Sequence, residues 1–184
     1  RFSWYDAEAH AEALHRGDEV WLYTCAYPKH PYPNMHLELP GIETRLCIWA
    51  CWRYQAKGFL YYSINYWKVD DVWTNIRTYK DANLDGSLFY PDAKGRPILS
   101  QRVEILRDGI DDYDYFTILQ KLIRQTEGDG DDVVEKTLLD RAKELLDPSP
   151  VITSFEEWTT DPEKLQKHRD AVAEMILELK NKLK

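Results

Sequence analysis

The chain has 184 residues, of which 43% are apolar and 30% charged. This balance is sufficient for one globular core and excludes a largely disordered chain. No apolar run reaches the roughly 18 residues that a bilayer-spanning helix requires. Acidic residues outnumber basic ones by 32 to 24, which gives a net charge of -8 and leaves no basic face for a nucleic-acid backbone. We therefore expect neither a membrane span nor a nucleic-acid partner.

The aromatic residues are concentrated in the first two thirds of the chain. All 12 Tyr and all but one of the 7 Trp precede residue 117, and only Phe155 and Trp158 follow it. The chain opens at Arg1 directly in aromatic sequence, and we expect it to be a segment of a longer protein.

Three cysteines are present, at Cys25, Cys47 and Cys51. The last two lie four residues apart in an apolar stretch that is typical of a helix, where buried free thiols are the favoured interpretation. A disulfide or a metal pair is the alternative, although no further ligand completes a metal site.

The first half of the chain alternates strand and helix signals. Residues 17–25 carry a turn signal followed by Val, Trp and Tyr, which predicts a strand. Four prolines predict an irregular loop over 26–41. Apolar residues at three- and four-residue spacing predict a helix over 42–56, and the aromatic run 59–67 predicts a strand buried on both faces.

A polar stretch with turn signals at Asp85-Gly86 and Lys94-Gly95 leads to a second helix. Ser100 can cap that helix. Its acidic residues, among them Asp108 and Asp112, are expected mostly on its surface. The expected core stripe comprises Val103, Leu106, Ile110, Tyr113, Phe116, Leu119 and Leu122.

The remainder of the chain is predicted to be helical. An acidic, glycine-containing break over 127–132 precedes a helix near 133–146, and Asp161-Pro162 is a start signal for a final helix. That last helix has one apolar stripe, which favours packing onto the body over a coiled coil.

The order strand, loop, helix, strand, loop, helix is typical of βα units with a parallel sheet. A closed barrel of eight such units needs about 250 residues. We therefore expect an α/β fold that is the carboxyl-terminal portion of a (β/α)8 TIM-type barrel, over residues 1–126, followed by a helical extension over 127–184.

In βα folds, ligands bind at the carboxyl ends of the strands. This rule selects Tyr23 and the loop after it, the stretch from Asn65 to Trp67, and the loop 68–97. Aromatic rings suit the C–H face of a sugar, and neighbouring amides suit its hydroxyls. On residue types alone, the favoured interpretation is that these aromatic residues fill a core.

Two acidic segments have alternative interpretations. Residues 81–92 match the positions of a twelve-residue calcium loop, but Pro91 and the missing flanking helices favour an ordinary turn. The cluster over 108–115 is interpreted as a solvated helix face. Asp70-Asp71 follows a strand and is a possible catalytic pair, although such pairs are usually solvent-facing.

Four ordered strings resemble one known family: "VWLYTCAYPKHPYPN", "ETRLCIWACWRYQAKGFLYYSINYW", "DGSLFYP" and "SQRVEILRDGIDDYDYFTIL". Together they are similar to the carboxyl-terminal part of the bacterial domain-of-unknown-function 4091 family, which overlaps the catalytic domain of glycoside hydrolase family 123. The resemblance covers about residues 17–123.

The resemblance implies a (β/α)8 barrel and a β-N-acetylgalactosaminidase that retains configuration by substrate assistance. In that mechanism the 2-acetamido oxygen attacks the anomeric carbon, an Asp stabilises the oxazolinium ion, and an adjacent Glu is the general acid/base. The resemblance places this Asp-Glu pair upstream of Arg1, so no catalytic residue is expected within the chain.

The same resemblance assigns substrate-binding residues by matched positions. They are Tyr23, Asn34, Arg45, Asn65, Trp67, Asp85 and Tyr90. Arg107, Asp108 and Asp112 also match, and for these a structural role is favoured. Tyr62 stands where the family often has Trp.

The expected function is therefore cleavage or binding of a β-linked N-acetylhexosamine such as N-acetylgalactosamine. The expected partners are an N-acetylhexosamine-containing glycan and the remainder of the chain's own barrel, with no cofactor and no metal. The resemblance favours a secreted or periplasmic location. The alternative is a non-catalytic carbohydrate-binding or structural barrel.

Overall fold

The computed structural model describes residues 1–67, 71–77, 83, 86–128 and 135–183. A short 3-10 helix, Phe2–Trp4, precedes the regular elements. In chain order these are α1 (Ala7–His15), β1 (Trp21–Thr24), α2 (Gly41–Arg53), β2 (Gly58–Tyr61), β3 (Phe89–Pro91), β4 (Pro97–Leu99), α3 (Gln101–Gly128), α4 (Lys136–Leu145) and α5 (Pro162–Lys182).

The first two strands and the helix between them form a βαβ unit. β1 and β2 are parallel, with Tyr23 opposite Leu60. The irregular loop between β1 and α2 is also present, so the sequence prediction of a mixed α/β fold is confirmed in this region. The described residues contain two two-stranded sheets, and they do not show a closed barrel.

The second strand is shorter than predicted and is not buried on both faces. β2 ends at Tyr61 rather than continuing to residue 67. Phe59 and Tyr61 pack against the core, whereas Leu60 is exposed. This alternation follows from the two-residue repeat of a strand, because only one face of β2 is covered by described residues.

Helices α2 and α3 pack against each other and supply much of the core. The ring of Trp52 stacks on that of Phe116, with centroids 5.0 Å apart and planes inclined by 13°. Gly109 allows the close approach of the two helices, since a Cβ at this position would lie 3.2 Å from the Arg45 carbonyl oxygen. Removing the Phe116 side chain would cost about 3–5 kcal/mol of unfolding free energy.

Three predictions for α3 are wrong. Ile110, predicted in the core stripe, is exposed, whereas Asp112, predicted on the surface, is only 1% exposed. Side chains of α2 reach Asp112, and this long-range contact cannot be read from helical periodicity. The hydroxyl of Ser100 does not cap α3, because it has no hydrogen-bond partner within the described part of the chain.

The final helix begins at its predicted start signal. The Asp161 carboxylate accepts a hydrogen bond of 2.9 Å from the Glu163 N–H, and Pro162 occupies the first helical position. Apolar residues of α5 enter the same buried cluster as residues of α3, which confirms packing onto the body. α3 itself continues to Gly128, and a domain boundary at 126 stays a prediction.

A β-hairpin that the sequence did not predict joins the polar stretch to α3. β3 and β4 are antiparallel, and the predicted turn at Lys94-Gly95 connects them with Gly95 at φ +76°. The Asp92 carboxylate stabilises this turn by accepting from the N–H groups of Lys94 and Arg96.

Cys47 and Cys51 are free and buried, as predicted, and Cys25 is also free and buried. Burial raises the pKa of the Cys51 thiol to about 12, which keeps it protonated. Among the described residues, none of the helices has the length and apolar character needed to cross a membrane.

Candidate functional site

The chain that leaves β2 is joined by hydrogen bonds to the segment that enters β3. The N–H groups of Leu88 and Phe89 donate to the Ile64 carbonyl at 2.9 and 3.0 Å. Asn65 and Ser87 form an isolated antiparallel bridge. This pairing explains why β2 ends early, because residues 64–66 bond to the later segment instead of continuing the parallel strand.

Gly86 makes this pairing possible. Its φ is +69°, a left-handed conformation that costs little for glycine, and an added Cβ would lie 2.9 Å from the Cβ of Tyr66. The Gly86 N–H donates to the Tyr61 hydroxyl at 3.1 Å, which ties the turn to the last residue of β2.

Five aromatic residues gather on this part of the molecule, and we call them the strand-exit surface: Tyr62, Tyr66, Trp67, Trp73 and Tyr90. The rings of Tyr62 and Tyr66 meet edge to face at 5.2 Å, and those of Trp73 and Tyr90 lie 4.8 Å apart at 31°. The side chain of Trp73 is 57% exposed. The prediction that aromatic side chains collect near a strand exit therefore describes real neighbours, whereas Trp49 and Trp52 belong to the core.

The indole N–H groups of the strand-exit surface are already used. Trp67 donates to the Phe89 carbonyl and Trp73 to the Pro91 carbonyl, both at 2.9 Å. These bonds fix the orientation of the two rings and occupy their polar edges.

Tyr23 immediately precedes the last residue of β1, and Asn65 follows the end of β2. Tyr23 is on β1, and the Thr24 carbonyl that follows it accepts from the Tyr62 N–H at 3.4 Å. The guanidinium of Arg1 lies 5.7 Å from the centre of the Tyr23 ring. Asn65 is exposed beside the bridge to Ser87.

Asn34 has a different environment from that of an exposed contact residue. It is fully buried, and its amide donates to the carbonyls of Cys25 and Pro28 at 2.8 and 2.7 Å. Its side-chain oxygen accepts from the Met35 N–H at 2.8 Å. Asn34 therefore holds the irregular loop in its shape, because both amide donors are satisfied within that loop.

Glu43, in the first turn of α2, was not predicted as a functional residue. It is buried, and its carboxylate accepts from the Asn34 N–H at 3.3 Å. Burial raises its pKa to about 7, and that hydrogen bond offsets part of the effect. The sequence carried no signal for it, since an acidic residue in a first helical turn is ordinarily explained by the helix dipole.

Arg45 lies away from the strand exits, in a cluster between helices. It makes two hydrogen bonds to Asp112, from Nε at 2.6 Å and from Nη2 at 2.8 Å, and donates to Gln166 of α5 at 3.2 Å. The indole of Trp49 also donates to Asp112, at 2.7 Å. The structure thus connects Arg45 with the helical extension rather than with Tyr23 or Trp67.

Among the described residues, the acidic groups considered as catalytic or metal-binding alternatives form no such arrangement. Asp85, and Asp81 of the calcium-loop alternative, lie outside the described residues, as does Asp70. Asp71 accepts from the N–H of Trp73 in an exposed turn. Among the described residues, no group of three or more His, Cys, Asp or Glu could hold a metal ion.

An α/β chain with aromatic and amide side chains near its strand exits has the features of a carbohydrate-active protein. The sequence model described as "Glycoside hydrolase 123, catalytic domain" matches residues 3–119, well over half of the chain. The chain belongs to the glycoside hydrolase 123 catalytic-domain family, and it is therefore glycoside hydrolase-like. A search among curated proteins finds no match.

Proposed function

We propose that this chain is the carboxyl-terminal section of a (β/α)8 glycoside hydrolase barrel over residues 1–126, with a helical tail over 127–184. The support is the parallel pairing of β1 and β2 with α2 between them. Two strands cannot enclose a barrel interior, and further parallel strands beside them would complete the sheet.

The proposed substrate is a glycan with a β-linked N-acetylhexosamine, of which N-acetylgalactosamine is the first candidate. Cleavage proceeds with retention by attack of the 2-acetamido oxygen on the anomeric carbon. The catalytic Asp-Glu pair is proposed to lie in the part of the barrel that precedes residue 1. Residues 1–126 then contribute contacts to the sugar rather than the acid/base groups.

The observation that carries this proposal is the adjacent pair of Trp73 and Tyr90, whose ring centres are 4.8 Å apart. The Trp73 indole is 57% exposed, and its N–H is anchored on Pro91. A flat, oriented and exposed aromatic face complements the C–H face of a pyranose ring. Family membership independently favours a carbohydrate substrate.

The predicted contact residues divide into two groups in this proposal. Tyr23, Asn65, Trp67 and Tyr90 are proposed to contact the sugar, with Asp85 retained as a sequence-based candidate. Asn34 and Arg45 act indirectly, because the side chains of both are engaged by protein groups. Neither is proposed to touch the substrate.

The first experiment compares Trp73→Ala with Trp21→Ala in the full-length protein, using an aryl β-N-acetylgalactosaminide. Trp21 is 60% exposed and is the first residue of β1, at the end opposite the strand exit, so it is a matched control for loss of a surface indole. Loss of an aromatic stacking contact of about 1.4 kcal/mol corresponds to a roughly tenfold loss in kcat/KM. Equal kcat/KM values for the two variants would show that Trp73 does not contact the substrate.

Trp67→Ala should also weaken sugar binding or turnover. Because Trp67 donates to the Phe89 carbonyl, thermal unfolding of this variant has to be measured beside its kinetics. A loss of activity with an unchanged melting temperature supports a contact role, and unchanged kinetics would exclude one.

A non-catalytic carbohydrate-binding protein is the second candidate. The carboxylates of Asp71 and Asp92 are engaged by local turns rather than paired for catalysis, so these two residues supply no catalytic pair. Calorimetric binding of N-acetylgalactosamine without hydrolysis of the aryl glycoside would establish this alternative. Hydrolysis that also proceeds on the aryl β-galactoside, which lacks the acetamido group, would contradict substrate assistance.

A further inference from the structure

A buried arginine at the start of α3 has no part in the function proposed above. Arg102 is 7% exposed. Its Nη1 donates to the Met35 carbonyl at 2.7 Å, and its Nη2 donates to the Ser87 carbonyl. One guanidinium therefore bonds to two backbone segments that are more than 50 residues apart in the sequence.

The two carbonyls belong to the two loops that follow the parallel strands. Met35 is in the loop after β1, next to Asn34, whose amide holds that loop together. Ser87 forms the bridge with Asn65 and so belongs to the segment that supports the strand-exit surface. Arg102 is thus the point at which α3 contacts both loops.

Two longer and more exposed hydrogen bonds also join the loops. The Leu37 N–H donates to the Asn83 carbonyl at 3.4 Å, and the Asn83 N–H donates to the Glu38 carboxylate at 3.3 Å. Hydrogen bonds from a buried charged donor are stronger than such surface contacts. Arg102 therefore holds the loops together more strongly than these two bonds do.

Arg102 also lines a cavity between the first loop and β3. The cavity has a volume of about 250 Å³ and is lined by His36 from the first loop and Tyr90 from β3. A shift of the first loop relative to β3 would change the shape of this cavity beside Tyr90.

We propose that Arg102 is a positioning residue, which holds the strand-exit surface in a fixed position against the loop 25–40 and thereby orients the residues of that surface that contact the sugar ligand. This inference rests on the proposed function for its ligand, but the alignment itself is a property of the protein. A planar guanidinium can donate in two fixed directions, whereas the single ammonium of lysine cannot reproduce that fork.

The first test is hydrogen–deuterium exchange on the full-length protein, comparing Arg102→Lys with Arg124→Lys. Arg124 is an exposed residue of the same helix and serves as the control. Amides in both 25–40 and 86–91 should exchange at least tenfold faster in R102K, and neither segment should change in R124K. Faster exchange in only one segment, or in neither, would overturn the proposal.

If R102K does not fold, the proposal is tested by NMR on the wild-type protein. With ¹⁵N-arginine labelling, the Nη protons of Arg102 should exchange slowly and show NOE contacts to residues 34–36 and 86–88. Fast exchange without those contacts would overturn the proposal, because the guanidinium would then not be held between the two loops.

Kinetics then separate positioning from a purely structural role. R102K should raise KM for the aryl N-acetylgalactosaminide about tenfold, with kcat changed less than threefold. In a Trp73→Ala background the same substitution should raise KM less than threefold, since the contact that it aligns is already lost. Equal effects in both backgrounds would show that Arg102 does not act through this surface.

A wild-type protein without sugar binding or hydrolysis would refute the proposed function, and the exchange experiment would still decide the role of Arg102.

Discussion

Asp112 gives the sharpest test of how the helices are held together. It is 1% exposed and accepts two hydrogen bonds from Arg45 and one from the indole of Trp49. The Nε of Arg169, on α5, lies 3.6 Å from Oδ1 of the same carboxylate. Asp112→Asn keeps the size of the side chain but removes its charge and one of its two acceptor oxygens.

The expected cost follows from these contacts. Removing one partner of a buried ion pair typically costs about 3–5 kcal/mol, because the remaining charge is left without compensation. Arg45 and Arg169 retain 17% and 27% side-chain exposure, so water can solvate them in part and the lower end applies. We therefore expect a loss of about 3 kcal/mol, out of a total stability of about 5–15 kcal/mol. For a chain of this size the melting temperature should fall by about 6–12 °C.

Urea unfolding monitored by tryptophan fluorescence and by circular dichroism measures this free energy directly. Asp108→Asn is the control, because Asp108 is on the same helix, is 50% exposed and lies 3.8 Å from Arg107. The control should cost less than about 0.5 kcal/mol. If D112N cost no more than D108N, the buried network would not stabilise the fold, and the contribution assigned to α5 would be wrong.

Three further predictions concern single sites. Burial raises the pKa of Glu43 from 4.5 to about 7, so the wild-type protein should lose stability relative to Glu43→Gln as the pH rises through this interval. The expected loss is up to about 3 kcal/mol. If the stability difference measured by urea unfolding did not change with pH, the effect would be excluded. Gly86→Ala should destabilise the protein more than Gly95→Ala. Both glycines have positive φ, but only a Cβ at position 86 would meet Tyr66, at 2.9 Å. Equal losses of stability in calorimetry would contradict this close contact. Asp161→Ala should cost about 0.5–2 kcal/mol through loss of the α5 cap, and an unchanged urea midpoint would show that this cap is dispensable.

The placement of Arg45 connects the helical tail with the βα unit. Its guanidinium bonds to Asp112 of α3 and to Gln166 of α5, while its backbone belongs to α2. Variants in α5 can therefore alter the packing of α2 and α3 without touching the strand-exit surface. A change in activity from a substitution in α5 should be checked against stability before it is assigned to the site.

Local sequence patterns determined much of the secondary structure and the family. Four prolines excluded regular structure over 26–41, and Asp161-Pro162 marked the start of α5, because both effects act within a few residues of the chain. The ordered motifs identified the glycoside hydrolase 123 catalytic-domain family, and the family model confirmed that assignment. The gathering of aromatic residues after β2 was also predictable from the order of strands and loops.

Only the tertiary structure decided which polar residues are buried and what they bind. Asp112 belongs to an acidic stretch that looks solvated, but Arg45 and Trp49 from another helix enclose it. Asn34 and Arg102 likewise have partners that are set by the path of loops. The end of β2 at Tyr61 has the same cause, since Ile64 bonds to Leu88, far along the chain. Such contacts join residues distant in sequence, so no local periodicity or propensity can encode their geometry.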